Sequence, residues 1–157
     1  MRRVVVLAVA MAVALMLGSG IALAKNVTGT SGNDTIRGTN QQDRLAGGFG
    51  NDDIFGFGSG DQLYGDSGND ELFGGDGADQ LYGGRGADRV SAGAGNDFVN
   101  VVDESGEDSV SCGPGANDRV AADEGDTVRA NCEFVDFFNP QEFNPFLVTA
   151  GPSAFDF

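Results

Sequence analysis

Aspartate recurs at every ninth residue over a long central segment of the chain. The recurrence continues without a gap through eight positions: Asp34, Asp43, Asp52, Asp61, Asp70, Asp79, Asp88 and Asp97. Carboxylates are hard oxygen ligands, and a calcium ion takes about 6–8 oxygens from carboxylates and backbone carbonyls. A regular row of carboxylates therefore indicates calcium binding, provided that the fold brings the side chains together.

The aspartates belong to a nonapeptide repeat that runs from Gly29 to Asn100. Asp is the sixth residue of every repeat, the eighth is always aliphatic, and Gly opens seven of the eight repeats. The triplet around the aliphatic residue can form a short strand with one side chain facing inward. The six residues before it must reverse the chain, and Gly at the first, second and fourth positions supplies backbone angles that other residues resist.

Two half-coils of nine residues make one coil with two strands and two turns. We therefore predict an all-β fold, a parallel β-roll in which two sheets of stacked strands form a solenoid. Coils stacked at roughly 4.8 Å align every second Asp. One edge would then carry Asp34, Asp52, Asp70 and Asp88, and the other Asp43, Asp61, Asp79 and Asp97.

Carboxylates stacked in this way repel one another, so the arrangement requires a cation. Three stacked pairs on each edge give up to about six calcium sites in the regular repeats. Bound calcium would also offset much of the formal net charge of −15. The alternative is that these aspartates only form turns, but turn-forming Asp alternates freely with Asn or Ser, whereas the sixth position never varies here.

The repeats resemble the calcium-binding nonapeptide repeats of RTX (haemolysin-type) toxins and secreted alkaline metalloproteases, with the consensus GGxGxDxUx. The resemblance implies that each ion lies between turns of adjacent coils. The glycines expected to offer backbone carbonyls beside the eight aspartates are Gly47, Gly48, Gly50, Gly65, Gly68, Gly74, Gly75, Gly77, Gly83, Gly84 and Gly86. Gln41 and Ser59 depart from the consensus, because each stands where the fourth-position Gly is expected.

The predicted core is too thin to fold the chain unaided. Each half-coil buries one aliphatic side chain, which contributes roughly 1.5–3 kcal/mol. Ordering the backbone costs roughly 1–2 kcal/mol for every residue, and hydrogen bonds between coils recover only part of that. Metal binding must then be coupled to folding, so we predict a disordered metal-free state and a folded calcium state.

The segment 1–24 has the features of a secretory signal peptide. Two arginines precede the apolar run Val4–Leu17, and Ala-Leu-Ala supplies a small-x-small cleavage pattern before Lys25. The apolar run is short for a bilayer span, which needs roughly 20 residues. We expect cleavage before Lys25, secretion, and no stable membrane span in the mature protein.

The regular period ends at Asn100, and we assign 101–135 to degenerate repeats that cap the roll. Later D-x-V units supply further candidate metal ligands: Asp108, Asp118 and Asp126. Cys112 and Cys132 are about one coil apart, which predicts a disulfide between adjacent coils. A tail rich in Phe and Pro, 136–157, completes the chain.

Composition excludes several classes of function. The chain has no His, which rules out Ser-His-Asp and Cys-His catalysis and His-ligated zinc. Its acidic charge argues against nucleic acid as a partner. Paired carboxylates could serve a glycosidase, but the predicted metal rows already account for them, and we do not expect an enzyme.

Two non-enzymatic functions remain open: a free extracellular calcium-binding module, and an adhesion or surface-interaction protein with a calcium-stiffened scaffold. The ninth repeat position carries aromatic residues in four consecutive repeats: Phe55, Tyr64, Phe73 and Tyr82. These should face outward as a Phe pair on one sheet and a Tyr pair on the other. They favour cross-strand packing or, alternatively, a platform for a sugar. A cell-surface or polysaccharide partner is compatible with the sequence, which does not name one.

Overall fold

The computed structural model describes residues 23–103 and 107–138. These residues form thirteen strands and no α-helix. None of them belongs to a helix that could cross a membrane. The predicted signal peptide, apart from Leu23 and Ala24, and the predicted tail beyond residue 138 lie outside the described residues.

The strands follow one another at short intervals along the chain. They are β1 (Asn26–Thr28), β2 (Thr35–Thr39), β3 (Arg44–Phe49), β4 (Asp53–Gly58), β5 (Gln62–Ser67), β6 (Glu71–Asp76), β7 (Gln80–Arg85), β8 (Arg89–Ala94), β9 (Phe98–Asn100), β10 (Ser109–Ser111), β11 (Arg119–Asp123), β12 (Thr127–Val128) and β13 (Phe134–Phe138).

The strands form two parallel sheets, as predicted for a β-roll. The odd-numbered strands make a seven-stranded sheet in sequence order from β1 to β13, and the even-numbered strands make a six-stranded sheet from β2 to β12. Within the regular repeats each strand pairs with the next strand but one, so Ile36, Ile54 and Leu72 lie in register. The predicted coil of 18 residues is confirmed by this register.

The core is a double column of aliphatic side chains between the sheets. The eighth-position residues Leu45, Ile54, Leu63, Leu72 and Leu81 are fully buried. The column continues past the regular repeats through small residues such as Val110 and Ala122. One aliphatic side chain for each half-coil is what the repeat predicts, and the core stays correspondingly narrow.

The strands are longer than the predicted triplets, and this changes the role of the first glycine. Strands β3 to β8 each contain six residues, from the seventh position of one repeat to the third of the next. First-position glycines such as Gly65 lie inside a strand with an ordinary φ, so the prediction that they supply unusual backbone angles is wrong. They are needed for space, because a Cβ on Gly65 would lie 2.3 Å from the carbonyl oxygen of Gly83.

Left-handed backbone occurs instead at the second and fourth positions. Gly68, for example, has a φ of 130°. Three residues other than glycine share this conformation: Phe57, Ser59 and Asp66, with φ between 72° and 81°. A side chain in this region costs roughly 1–2 kcal/mol, so these turns are locally strained.

The C-terminal cap keeps the coil but loses the regular spacing. Val110 lies 20 residues after its partner Val90, and Val120 lies 21 after Val99, whereas the last pairings, with Val128 and Val135, span 18 and 15 residues. The predicted disulfide is confirmed, since Cys112 and Cys132 are bonded with their Cα atoms 5.2 Å apart. The bridge ties the final coils together where the core becomes small.

Candidate metal centre

The regular aspartates form two rows, one along each edge of the roll. On one edge the backbone N–H of Asp52 donates to Oδ1 of Asp70, and the N–H of Asp70 donates to Oδ1 of Asp88, both at 2.8 Å. On the other edge the N–H of Asp61 donates to Oδ1 of Asp79 at 2.7 Å. Each interior carboxylate is therefore fixed by the coil before it, in the rows that the sequence predicts.

The second carboxylate oxygen, Oδ2, has no hydrogen-bond partner in most of these residues. The buried and unpartnered Oδ2 atoms belong to Asp52, Asp61, Asp70, Asp79, Asp88, Asp97, Asp108 and Asp118. All eight side chains are at most 3% exposed. A buried carboxylate oxygen without a donor is strongly unfavourable, whereas a cation beside it would satisfy it.

Burial raises the pKa of several of these carboxyls from the ordinary 3.8. The pKa is about 6 for Asp61, Asp79, Asp88 and Asp97, and about 7 for Asp70 and Asp108. Loss of water is the largest cause, the backbone hydrogen bond at each carboxylate opposes it, and the charge of neighbouring aspartates raises the pKa further. The raised pKa values mean that the charged form of these carboxyls is unfavourable in the metal-free roll.

Backbone carbonyls lie beside the unpartnered oxygens. A Cβ built on Gly65 would lie 2.5 Å from Oδ2 of Asp70 and 2.3 Å from the carbonyl oxygen of Gly83, so both oxygens face the same small space. The same pairing recurs at Gly56, where the oxygens belong to Asp61 and Gly74. This cradle of one carboxylate and one carbonyl oxygen repeats from coil to coil.

Carbonyls of the fourth position form a second row at the turns. A Cβ on Gly68 would lie 1.8 Å from the carbonyl oxygen of Gly50, and one on Gly86 would lie 2.0 Å from that of Gly68. Residues 23–103 and 107–138 contain no group of three or more His, Cys, Asp and Glu side chains able to hold a metal ion. A cation held between these turns would take backbone carbonyls as well as carboxylates, the oxygen ligands that calcium accepts.

The first two repeats differ from the others. Oδ2 of Asp34 accepts hydrogen bonds from the backbone N–H and the hydroxyl of Thr30, at 2.6 and 2.9 Å. Asp43 is held in the same way by Thr39. Both threonines occupy the second repeat position, where most later repeats have Gly. Asp34 and Asp43 are thus in the predicted rows, but their second oxygens already have partners.

Two of the further candidates extend the rows into the cap. The N–H of Asp88 donates to Oδ1 of Asp108 at 2.6 Å, and that of Asp97 donates to Oδ1 of Asp118 at 2.9 Å. Both acceptors are buried, with an unpartnered Oδ2. Asp126 accepts the N–H of Asp108 at 3.0 Å and is only half-buried, so it ends its row.

Sequence reasoning did not single out three other acidic residues of the cap. Oδ2 of Asp103 accepts the N–H of Gly86 at 2.9 Å, and Oδ2 of Asp123 accepts the N–H of Asp103 at 2.9 Å. The carboxylate of Glu133 accepts the N–H of Asp118 and closes the second row. Asp123 follows Asp103 by 20 residues and Glu133 follows Asp118 by 15, and these unequal intervals hide both residues from a search at a fixed period.

The fold and the rows define a class of protein, a parallel β-roll whose turns carry carboxylates and carbonyls suited to a divalent cation. Residues 28–63 and 64–99 each match the family described as RTX calcium-binding nonapeptide repeat (4 copies). The segment 28–99 is therefore an array of RTX calcium-binding repeats, and it makes up less than half of the chain. No curated protein and no solved structure matches the chain significantly.

The matched family confirms the resemblance that the sequence carries and is a calcium-binding module rather than a catalytic domain. The match ends at residue 99, before Asp108 and Asp118. The assignment of those two residues to the rows therefore depends on their D-x-V units and on the structure, not on the family match.

Proposed function

We propose that this protein is exported and folds on binding several calcium ions between adjacent turns of the roll. The observation that carries the proposal is the set of eight buried Oδ2 atoms without a hydrogen-bond partner. Each lies in a turn that also presents carbonyl oxygens, and a hard cation with many oxygen ligands suits both. The RTX repeats of residues 28–99 support calcium as that cation.

The rows set an expectation for the number of ions. The regular repeats provide up to about six sites between stacked aspartates. The pairs Asp88–Asp108 and Asp97–Asp118 add two positions in the cap. The threonine contacts at Asp34 and Asp43 favour weaker sites at the N-terminal end, because there calcium must displace hydrogen bonds.

Folding and binding are coupled in this proposal. Without metal, each buried carboxylate must either stay protonated or remain charged with a hydrogen bond at Oδ1 alone, and at neutral pH both states are unfavourable. Calcium removes this penalty at each pair of turns, so the binding free energy becomes folding free energy. The cell exterior suits such a protein, since calcium is plentiful there and the Cys112–Cys132 disulfide is stable.

Equilibrium dialysis of the oxidised chain, followed by metal analysis, tests the stoichiometry. We expect several bound calcium ions for each chain and no comparable binding of magnesium, which prefers octahedral sites with retained water. Asp79→Asn should lower the number of tightly bound ions. Asp76→Asn is the matched control, because Asp76 is exposed and carries the same charge. Equal stoichiometry in both variants would contradict the assignment of the rows.

Export is tested separately, by the mass of the chain recovered outside the cell when it is expressed in a bacterium. We expect a product that begins at Lys25. A chain that stays inside the cell with residues 1–24 attached would contradict export and leave the calcium assignment intact.

A further inference from the structure

A groove lies on the six-stranded sheet, and one side of it is lined by Glu71, Arg89 and Ser109, which directly follow aspartates of one row. Its volume is about 430 Å³. Among the residues that line it are Glu71, Phe73, Arg89, Ser91, Ser111 and Arg129. Neither the sequence repeat nor the family match assigns a role to this surface.

The floor of the groove follows the ninth-position row. Phe73, Ser91 and Ser111 lie in register on β6, β8 and β10. Arg129 follows Val128, the register partner of Val110, and so stands one coil beyond Ser111. Three coil spacings separate Phe73 from Arg129, or roughly 14 Å. The groove is an elongated slot with a ring at one end and a guanidinium at the other.

The ring that closes the slot is exposed on one side. Phe73 stacks on Phe55 with ring centroids 4.9 Å apart and an interplanar angle of 3°, as predicted for the Phe pair. The next residue in the row is Ser91, so the aromatic row stops and Phe73 remains 37% exposed. On the other sheet Asn100 follows Tyr82 in register, and the ring of Phe98 contacts Tyr82 edge-on with centroids 6.0 Å apart.

Two of the few basic side chains of this chain line the slot. The whole sequence has 9 Lys and Arg against 24 Asp and Glu. Arg37 and Arg44 instead lie over the rings of Phe55 and Tyr64, at 4.8 and 4.9 Å. Arg89 borders the slot from the seventh-position row, where its register partner is Glu71. A strongly acidic protein thus places two guanidinium groups around a hydroxyl-lined floor, which favours a ligand that carries a carboxylate.

We propose that this slot binds a carboxylate-bearing saccharide, a uronate-type sugar. The Phe73 face would stack on the apolar face of a sugar ring. Arg89 or Arg129 would pair with the carboxylate, and the serine hydroxyls and Glu71 would exchange hydrogen bonds with sugar hydroxyls. An acidic peptide fits less well, because sheets usually take peptides at an edge strand, and the backbone under the slot is already paired within the sheet.

The slot exists only in the folded roll, so this inference rests on the proposed function. Isothermal titration with digalacturonate tests it, under whichever conditions circular dichroism shows the strand signal. Maltose serves as the neutral disaccharide, and triglutamate as the acidic peptide. We expect digalacturonate to bind, and the other two probes to bind at least about tenfold more weakly.

Arg89→Gln and Phe73→Leu should each weaken digalacturonate binding by about tenfold or more. Arg119→Gln is the matched control, since Arg119 occupies the seventh position on the opposite sheet. Equal losses in Arg89→Gln and Arg119→Gln would mean that Arg89 acts only through its charge and not from the slot, and would overturn the proposal. So would equal binding of maltose, or tighter binding of triglutamate. The calcium-induced strand signal should be unchanged in every variant. If the parent chain showed no such signal, the proposed function would be overturned and not only the assignment of the slot.

Discussion

Replacing Asp70 by Asn should have opposite effects with and without calcium. Oδ1 of Asp70 accepts the backbone N–H of Asp52 at 2.8 Å, and Asn keeps an oxygen able to do so. The unpartnered Oδ2 becomes an uncharged NH₂ group, which is no ligand for calcium. The substitution therefore removes the charge and the proposed ligand, and preserves the hydrogen bond that positions the side chain.

The magnitude in the absence of metal follows from the pKa of this carboxyl. Burial raises the pKa of Asp70 from 3.8 to about 7. One pKa unit corresponds to about 1.4 kcal/mol, so Asp70 destabilises the metal-free roll by at most roughly 4 kcal/mol at neutral pH. Asn removes that penalty. With calcium, loss of a carboxylate ligand should raise the calcium concentration at the folding midpoint at least about tenfold.

Far-ultraviolet circular dichroism measures both effects on the full chain. A pH titration in chelator should show strand signal persisting to higher pH in Asp70→Asn than in the parent. A calcium titration at neutral pH should show a higher midpoint in the variant. Asp76→Asn, an exposed residue of the next turn with the same charge change, should leave both curves nearly unaltered.

An Asp that only forms a turn should affect the metal-free roll and the calcium form in the same direction. If Asp70→Asn stabilised both forms or destabilised both, Asp70 would therefore not be a calcium ligand. A variant indistinguishable from Asp76→Asn would lead to the same conclusion. Either result would make the buried oxygens a feature of the turn rather than of a metal site.

Four other expectations follow from the same geometry. The six carboxyls with raised pKa values bind more protons in the folded state than in the unfolded state. Their stabilisation of the metal-free roll is therefore present near pH 4 and lost as the pH rises through about 6–7. Circular dichroism in chelator across this range measures the direction of the change in stability. Gly65→Ala should destabilise the calcium form by roughly 1–3 kcal/mol in urea unfolding, because its Cβ would lie 2.3 Å from a carbonyl oxygen. Gly32→Ala is the control and should be nearly neutral, because nothing lies within 4 Å of its Cβ. Ser59→Gly should stabilise the roll by about 1 kcal/mol by relieving a left-handed backbone, and a lower urea midpoint would contradict this. Cys112→Ser with Cys132→Ser should cost roughly 3 kcal/mol, and an unchanged melting temperature would show that the bridge does not stabilise the cap.

Much of the architecture could be predicted because the period is strict. An unbroken spacing of nine fixes which side chains face inward and which lie one coil apart, so Asp70 and Asp88 fall in one row and Phe55 stacks on Phe73. The spacing of Cys112 and Cys132 likewise places them on adjacent coils. Here a local repeat determines long-range contacts, which is unusual for a β-protein.

Properties that depend on atomic packing could not be read from the period. The first-position glycines look like turn residues in the sequence, but in the structure they are strand residues that leave room for Asp Oδ2 and a carbonyl. The Thr30 hydroxyl changes the environment of Asp34 through a contact within one turn, and the repeat consensus does not signal it. Asp103 and Glu133 escape notice because the coils of the cap differ in length.

The slot beside Phe73 was also beyond sequence reasoning. The aromatic residues were expected to face outward, and both pairs do. The open ring face, however, depends on Ser91 following in register, and the cation at the far end depends on where irregular coils place Arg129. Neither position follows from the nine-residue period of the repeats.

A calcium titration of the oxidised full chain, followed by far-ultraviolet circular dichroism with magnesium as the control, tests the central claim most directly. We predict a disordered spectrum in chelator at neutral pH and a cooperative transition to strand with calcium but not with magnesium. Full strand signal in chelator, unchanged by calcium, would contradict it, because the two rows of aspartates would then be satisfied without a metal ion.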